Sequence, residues 1–278
     1  MKKIKHFADD PFLFHKKVLN CKRSGETKDI VESLDADIQD CFSVYNARFS
    51  NDTLQELEAL TVSQEQKKAL LDMYSFRMNP FQELLKVLTT DENNRISNIC
   101  PNCTVGRVES LDHCIPKSEF PEFSDNPLNL MPCCMYCNSK KSSVWRREGQ
   151  RVFLNLFLDE LPNVRYLFVQ THIKDGIPVF KFFIDNRNSI ENNLYKKIEK
   201  HYSTLDLCNV FADNSDDVVD ELAFQFKSVP GLPEEQIRNM FVAQAEMLQA
   251  KFGYNYWKSV LILECCNNAN VFRYIAGK

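Results

Sequence analysis

Apolar residues between positions 27 and 90 recur at three- and four-residue steps, the period of an amphipathic helix. The first stripe comprises Ile30, Leu34, Ile38, Cys41, Phe42 and Tyr45. Further along, Ser63 and Gln66 have capping-box spacing, which predicts a helix to about Met78. Residues 1–25 carry turn signals and predict an irregular, basic stretch. Together these patterns predict a mainly helical segment over residues 1–94 that ends in a linker at 91–94.

The pattern changes to strand-like alternation in the last part of the chain. Two runs, 166–172 and 179–184, flank the turn sequence Lys-Asp-Gly and predict a β-hairpin. An apolar run over 152–158 fits either a helix or a strand. Helical periodicity returns over 190–207, 217–226 and 234–252, and an apolar, aromatic tail follows. We expect residues 151–278 to form a C-terminal domain with a β-hairpin and helices.

Two Cys-x-x-Cys pairs stand between these regions, Cys100/Cys103 and Cys134/Cys137. Each pair offers two thiolates from one tight turn, and two pairs complete a tetrahedral shell for Zn²⁺. A shell of four sulfurs leaves no open coordination position, so the zinc is expected to hold the fold and to do no chemistry.

The thirty residues between the two pairs are more than a bare zinc ribbon needs. Residues 105–111 predict a strand with Asp112 and His113 at its end, and 129–131 predict a second, short strand. A helix is expected to begin at the second cysteine pair. The predicted fold class is therefore α+β, with a zinc-bound core over residues 95–150 between the two flanking regions.

Composition narrows the class of protein further. The 278 residues carry a formal net charge of −4, which argues against tight non-specific binding of nucleic acid by the whole surface. Residues 138–151, however, hold five basic side chains against Glu148 alone, a local balance of 5 − 1 = +4. Eleven cysteines without a secretion signal, and no apolar run of membrane-spanning length, predict a soluble cytoplasmic protein that does not enter a membrane.

The run Leu111-Asp-His-Cys-Ile-Pro-Lys117, followed by Asn129-Leu-Met-Pro-Cys-Cys-Met-Tyr-Cys-Asn-Ser-Lys-Lys141, resembles the HNH endonucleases in their four-cysteine zinc-bound branch. The resemblance covers about residues 97–145. It implies a ββα-metal core and hydrolysis of a nucleic-acid phosphodiester, with DNA favoured over RNA.

The resemblance also implies roles for single residues. His113 would be the general base, and Asp112 a ligand of a catalytic Mg²⁺ or Mn²⁺. Asn129 would bind that ion or orient the histidine, and Asn138 stands where many members have a histidine ligand. The side chains expected to face nucleic acid are those of Lys117, Lys140, Lys141, Arg146 and Arg147.

Three alternatives stay open from the sequence. The first is an active nuclease. The second is a zinc-stabilised nucleic-acid-binding or assembly module whose catalytic centre is degenerate, which the net acidity and Asn138 favour. The third is a nuclease that stays silent until a partner docks. Nuclease subunits of ATPase-coupled anti-phage systems have a similar layout, so an ATPase or another defence-system subunit is one expected partner.

Overall fold

A computed structural model describes residues 1–91, 93–141, 143 and 145–278. Glu92, in the expected linker, and Ser142 and Val144, in the basic run, lie outside the described residues. The described chain forms two compact units. One unit spans Lys3–Asp159, and the other combines Glu160–Lys278 with Met1–Lys2. The predicted boundary between residues 94 and 95 falls inside the first of these units.

The first unit opens with helices that pack around a shared aromatic core. They are α1 (Pro11–Asn20), α2 (Glu26–Ser33), α3 (Asp35–Ser50), α4 (Gln64–Asp72) and α5 (Asn79–Thr89). The prediction that residues 1–25 are irregular is wrong, because α1 lies there. Its start is set by Asp10, whose side chain accepts the N–H groups of Phe12 and Leu13, and by Pro11 in the first turn.

The first apolar stripe is divided between two helices. It breaks at Leu34, which ends α2 and precedes α3, while Ile38, Phe42 and Tyr45 are buried along α3 as the stripe predicts. The capping box of Ser63 and Gln66 is present in full, and α4 ends at Asp72, before the expected position.

The cysteine-rich region forms a hairpin followed by a helix. Strands β1 (Ser110–His113) and β2 (Leu130–Cys133) pair antiparallel, with Asp112 opposite Met131, and α6 (Met135–Lys141) follows. A second, two-residue hairpin joins β3 (Arg146–Arg147) to β4 (Gln150–Arg151). The expected strand over 105–111 lies further along the chain, so that Asp112 and His113 belong to the strand itself.

The apolar run at 152–158 is neither a helix nor a strand. Its backbone is held by side chains instead: Asn155 accepts the N–H of Phe157, and Asp159 accepts the N–H of Asn155 at 2.7 Å. Asp159 also receives two hydrogen bonds from the buried guanidinium of Arg151, at 2.7 and 3.0 Å. The run is therefore a mostly buried loop that is held by hydrogen bonds from Arg151, Asn155 and Asp159.

The second unit contains the predicted β-hairpin. Strands β5 (Leu167–Lys174) and β6 (Ile177–Ile184) pair antiparallel, and Gly176 takes the turn with a φ of +80°. The helices that follow are α7 (Asn192–Thr204), α8 (Leu207–Asp213), α9 (Ser215–Lys227), α10 (Glu234–Phe252), α11 (Trp257–Asn267) and α12 (Ala269–Ile275). Among the described residues, no helix is long and apolar enough to cross a membrane.

Both units are thus built mainly from helices with small antiparallel sheets, a mixed α/β arrangement. The helices expected over 217–226 and 234–252 are α9 and α10, while the one expected over 190–207 divides into α7 and α8. In the second unit, the ring of Phe211 stacks on Trp257 at 5.6 Å and meets Phe182 edge-on. The chemistry-bearing residues named above all lie in the first unit.

Candidate active site and metal centre

The two cysteine pairs come together in space. One sulfur atom from each of Cys100, Cys103, Cys134 and Cys137 lies within 4.8 Å of the others, and all four side chains are buried. Four thiolates at that spacing are the ligand set of a structural zinc site. The cluster can therefore hold a zinc ion with its shell complete.

Backbone N–H groups around the four cysteines also favour zinc binding. The N–H of Gly106 points at the sulfur of Cys103, 3.3 Å away, and the N–H of Cys137 at that of Cys134, 3.4 Å away. Such N–H groups stabilise thiolates, because they bring positive partial charge to the sulfur. A Cβ atom added to Gly106 would lie 3.0 Å from the sulfur of Cys134, so alanine at this position would crowd the sulfur and force it to shift.

Strand β1 directs its two candidate catalytic side chains apart. Neighbouring residues of a strand face opposite sides of the sheet, so Ser110 and Asp112 share one face and His113 takes the other. Helix α6 lies against the first face, where Asn138 contacts Ser110 and Lys141 contacts Asp112. The site thus has two halves, with the hairpin between them.

The imidazole of His113 is fixed from two directions. Its Nε2 lies 2.8 Å from the carbonyl oxygen of Ser124. Because a carbonyl only accepts, Nε2 carries the proton and Nδ1 is the ring nitrogen with a free lone pair. Tyr74 meets the same ring edge-on, with centroids 4.7 Å apart. The ring is therefore held in one tautomer and one orientation.

The surroundings of His113 keep it neutral. Burial lowers its pKa to about 3; the bond to Ser124 acts in the opposite direction, and Lys117 and Lys141 add to the lowering. The histidine is thus an uncharged imidazole at neutral pH. A general base works best with a pKa near the working pH, so His113 needs negative charge beside it to become a stronger proton acceptor.

Tyr74 and Lys117 complete this half of the site. The Tyr74 hydroxyl donates to the carbonyl of Leu111 at 2.8 Å, and burial raises its pKa to about 12, so it stays protonated. The Lys117 ammonium lies 4.9 Å above the Tyr74 ring, and burial lowers the pKa of Lys117. A half-buried cation next to His113 is placed to meet an anion there.

The other half of the site contains an ion pair. The ammonium of Lys141 lies 2.7 Å from Oδ2 of Asp112 and also donates to the carbonyl of His113. Burial works to lower the pKa of Lys141, but Asp112 and Cys114 outweigh it and raise the pKa. The carboxylate therefore already has a cationic partner at neutral pH.

Asn129 is fully buried, and both ends of its side chain are in use. Its Oδ1 accepts the N–H of Ile115 at 2.8 Å, and its Nδ2 donates to the carbonyls of Ile115 and Phe123 at 3.1 and 3.2 Å. The Tyr45 hydroxyl contacts the same Oδ1 at 3.4 Å. Asn129 consequently joins the two ends of the loop between β1 and β2.

Asn138 lies close to Asp112 but in a different role. It stands on α6 one turn before Lys141, and its Nδ2 donates to the Ser110 hydroxyl at 3.0 Å. The Ser110 hydroxyl in turn donates to the carbonyl of Cys133. This chain of bonds joins the helix to both strands of the hairpin.

These contacts do not fit a divalent cation in the present arrangement. Mg²⁺ needs oxygen ligands at about 2.0–2.1 Å in octahedral geometry. Asp112 is bonded to an ammonium, and the amide oxygen of Asn129 is turned to the backbone. Among the described residues, the grouped histidine, cysteine and carboxylate ligands are the four cysteines alone. The site as it stands offers positive charge where the ion would bind.

The basic residues near the site fall into two groups. Lys140 and Arg147 are exposed and can meet an anion from solvent. Arg146 donates to the carbonyls of Gln55 and Leu57 through Nη1 and forms an ion pair with Glu119 through Nη2, so both of its terminal nitrogens are engaged within the protein. Like Lys141, Arg146 acts within the fold.

Several residues of the site have no signature in the sequence. Tyr74 and the Ser124 carbonyl fix His113, yet neither belongs to a motif. A signal for the Lys141–Asp112 pair does exist: Asn138 and Lys141 stand three apart on a helix, and Ser110 and Asp112 two apart on a strand. In each case the two positions face the same side of their element, so both contacts can form at once when the helix packs on the strand.

Comparison with known proteins gives one distant relative to report. Protein ea31 of Escherichia phage lambda is 23% identical over 187 residues, which cover 63% of this chain and 63% of the phage protein. The chain thus matches less than two thirds of that relative's length. No protein-family model matches the chain. No solved structure matches it either.

Proposed function

We propose that the first unit is a nuclease of the HNH type, which hydrolyses phosphodiester bonds in nucleic acid, with DNA favoured over RNA. The observation that carries this proposal is the state of His113, a neutral imidazole at the end of β1 with Nε2 tied to a backbone carbonyl. A fixed tautomer with one free ring nitrogen is what a general base requires.

The architecture around His113 supports the same function. A two-stranded hairpin and a helix, closed by a four-cysteine cluster that can hold zinc, correspond in order to the ββα-metal core that the sequence resembles. The cluster would hold Zn²⁺ as a scaffold, because its four ligands leave no position for substrate.

The chain's own residues suggest how hydrolysis would begin. A phosphate near Lys117 would bring negative charge beside His113 and raise the pKa of the imidazole. Nδ1 would then accept a proton from a water molecule as that water attacks phosphorus, while Tyr74 and Ser124 hold the ring in place. The P–O ester bond opposite the water would break, and its leaving oxygen would take a proton from solvent. The exposed Lys140 and Arg147 would bind the flanking phosphates.

A second function is favoured by the other half of the site. Asp112 is neutralised by Lys141, and Asn129 is committed to the loop. Both features suit a zinc-stabilised nucleic-acid-binding or assembly module whose catalytic centre is degenerate. Partner gating, with an ATPase or another defence-system subunit as the partner, remains a third proposal that rests on the sequence resemblance.

The test is cleavage of plasmid DNA, single-stranded DNA and RNA by the zinc-loaded full chain, with Mg²⁺ or Mn²⁺ and with EDTA. His113→Ala is compared with His172→Ala, an exposed histidine on β5. We expect cutting by the wild type and His172→Ala, and a loss of at least about a hundredfold in His113→Ala.

Each other outcome selects an alternative. Equal cutting by all three proteins would remove His113 as the base. Binding of nucleic acid without cutting by any of them would favour the degenerate module. Cutting that begins only when a candidate ATPase subunit is added would favour the partner-gated nuclease.

A further inference from the structure

Lys141 is a buried lysine at the end of α6. Its residue is 7% exposed, and its ammonium lies 5.7 Å from the centroid of the Phe153 ring. Lysine is almost never buried without a paired charge, because removing an ammonium from water is costly. The partner of Lys141 must therefore account for its position.

That partner is Asp112. Within the part of the chain that the structure describes, Lys141 forms an ion pair with Asp112, with its ammonium 2.7 Å from Oδ2. The nearby guanidinium of Arg151 has its own carboxylates, those of Asp159 and Asp52. Lys140, one residue away, is exposed. Lys141 and Asp112 thus form a dedicated pair.

The same carboxylate is the group that the nuclease resemblance assigns to a divalent cation. A Mg²⁺ or Mn²⁺ ion bound to Asp112 would sit about 2.1 Å from its oxygen. The ammonium of Lys141 is 2.7 Å from Oδ2. Three positive charges would then lie within about 5 Å of one another in a partly buried site, where their repulsion is poorly screened.

We propose that Lys141 and a divalent cation are alternative occupants of the Asp112 carboxylate, so that Lys141 holds the centre closed to metal until it is displaced. This inference rests on the proposed nuclease function, because that function supplies the ion. The lysine stem has four rotatable carbons and stands in the last turn of a short helix, so its ammonium can leave Asp112 without moving β1.

The ammonium also donates to the carbonyl of His113, so two groups of β1 hold it at the position that the ion would need. The isolated protein should consequently bind divalent cations weakly at this position.

The experiment is Mn²⁺ binding to the zinc-loaded full chain, followed by electron paramagnetic resonance of the free ion. Lys141→Met is compared with Lys140→Met, which removes the same charge one residue away. If Lys141 occupies Asp112 in nine molecules of ten or more, its removal should raise Mn²⁺ affinity at least about tenfold. Lys140→Met should change the affinity by less than about threefold, since an exposed charge is screened.

A third variant tests whether the Mn²⁺ ion binds at the Asp112 carboxylate. The double variant Lys141→Met with Asp112→Asn should lose the gain in affinity. Equal affinity in wild type and Lys141→Met would overturn the proposal. So would an equal gain in Lys140→Met, which would show a general charge effect, or a gain that survives Asp112→Asn.

A measurement on the wild type covers the case in which Lys141→Met does not fold. Lysine labelled with ¹⁵N gives an ammonium signal for Lys141, assigned by its absence in the double variant or in Lys141→Arg. Titration with Mg²⁺ to saturation should shift this signal, because the ammonium leaves Asp112. An unshifted signal at saturating Mg²⁺ would overturn the proposal.

The binding assays and the cleavage assay fail separately. Competition between Lys141 and Mn²⁺ without any cutting would contradict the proposed nuclease and leave this inference standing. Cutting that depends on His113, together with unchanged Mn²⁺ affinity in Lys141→Met, would support the proposed nuclease and contradict the inference about Lys141.

Discussion

The side chain of Asn129 can be a metal ligand or a brace for the loop, and the structure favours the brace. Replacement by alanine removes three hydrogen bonds of 2.8–3.2 Å, two to Ile115 and one to Phe123, besides the longer one from the Tyr45 hydroxyl at 3.4 Å. Each of the three contributes about 1 kcal/mol net, and the buried N–H of Ile115 is left without a partner, which adds about 1–3 kcal/mol. We expect Asn129→Ala to lower the free energy of unfolding by about 4–6 kcal/mol.

Asn138→Ala is the matched control. Asn138 was assigned the same metal-binding role, but it is partly exposed and makes one side-chain bond, to Ser110. Its loss should cost about 1 kcal/mol or less. Scanning calorimetry of the zinc-loaded protein measures both. A change of 1 kcal/mol moves the midpoint by about 2–4 °C in a unit of this size, so Asn129→Ala should melt roughly 10–20 °C lower.

Asn129→Asp separates the two roles directly. A carboxylate keeps an oxygen for the N–H of Ile115 and would serve a metal well. It cannot donate to the carbonyls of Ile115 and Phe123, and it places a buried charge against both. If Asn129 holds the loop through these hydrogen bonds, Asn129→Asp should be at least as destabilised as Asn129→Ala. Wild-type stability with tighter Mn²⁺ binding in Asn129→Asp would refute the reasoning.

Three further changes test the neighbouring structure. Gly106→Ala should weaken zinc binding about tenfold or more, measured by competition with a chelator, because its Cβ would press on the sulfur of Cys134; unchanged affinity would mean that the loop yields. Burial raises the pKa of Glu122, which accepts the N–H of Leu60. A raised pKa stabilises the fold fully below the unfolded pKa, and this contribution is lost as pH rises through the folded pKa. Glu122→Gln should therefore gain stability relative to wild type between pH 4 and 7.5 in urea titrations, whereas parallel curves would refute this. Zinc removal should abolish slow amide exchange in β1 and β2 while that of β5 and β6 persists, since the four cysteines of the cluster lie in the first unit; equal loss in both units would contradict it.

Local patterns in the sequence predicted what local contacts determine. The two cysteines of each pair lie together because each pair is a single turn, and the capping box of Ser63 and Gln66 forms because both partners are three residues apart. The hairpin β5–β6 follows from alternation on both sides of a two-residue turn at Gly176. In each case the interacting groups are neighbours in sequence or belong to a repeated spacing.

The contacts that decide the chemistry lie outside such patterns. His113 is fixed by the carbonyl of Ser124, and every residue has a carbonyl, so sequence cannot mark this one. Lys141 meets Asp112 across 29 positions because a helix packs on a strand in one register. Read from the sequence, Lys141 belonged to a basic run facing nucleic acid. Tertiary packing instead buries it.

Asn129 forms hydrogen bonds, through its backbone and its side chain, with the two residues that follow His113. Its backbone carbonyl accepts the N–H of Cys114, at 2.8 Å, and its side chain holds both polar backbone groups of Ile115. The two residues that follow His113 are thus fixed by a single side chain and its own backbone. Because β1 ends at His113, this fixation sets where the imidazole lies relative to Asp112 on the opposite face. In the proposed nuclease, a phosphate that contacts both residues would pass around this end of the strand. The hydrogen bonds of Asn129 would then set the geometry of hydrolysis without any contact between Asn129 and the substrate.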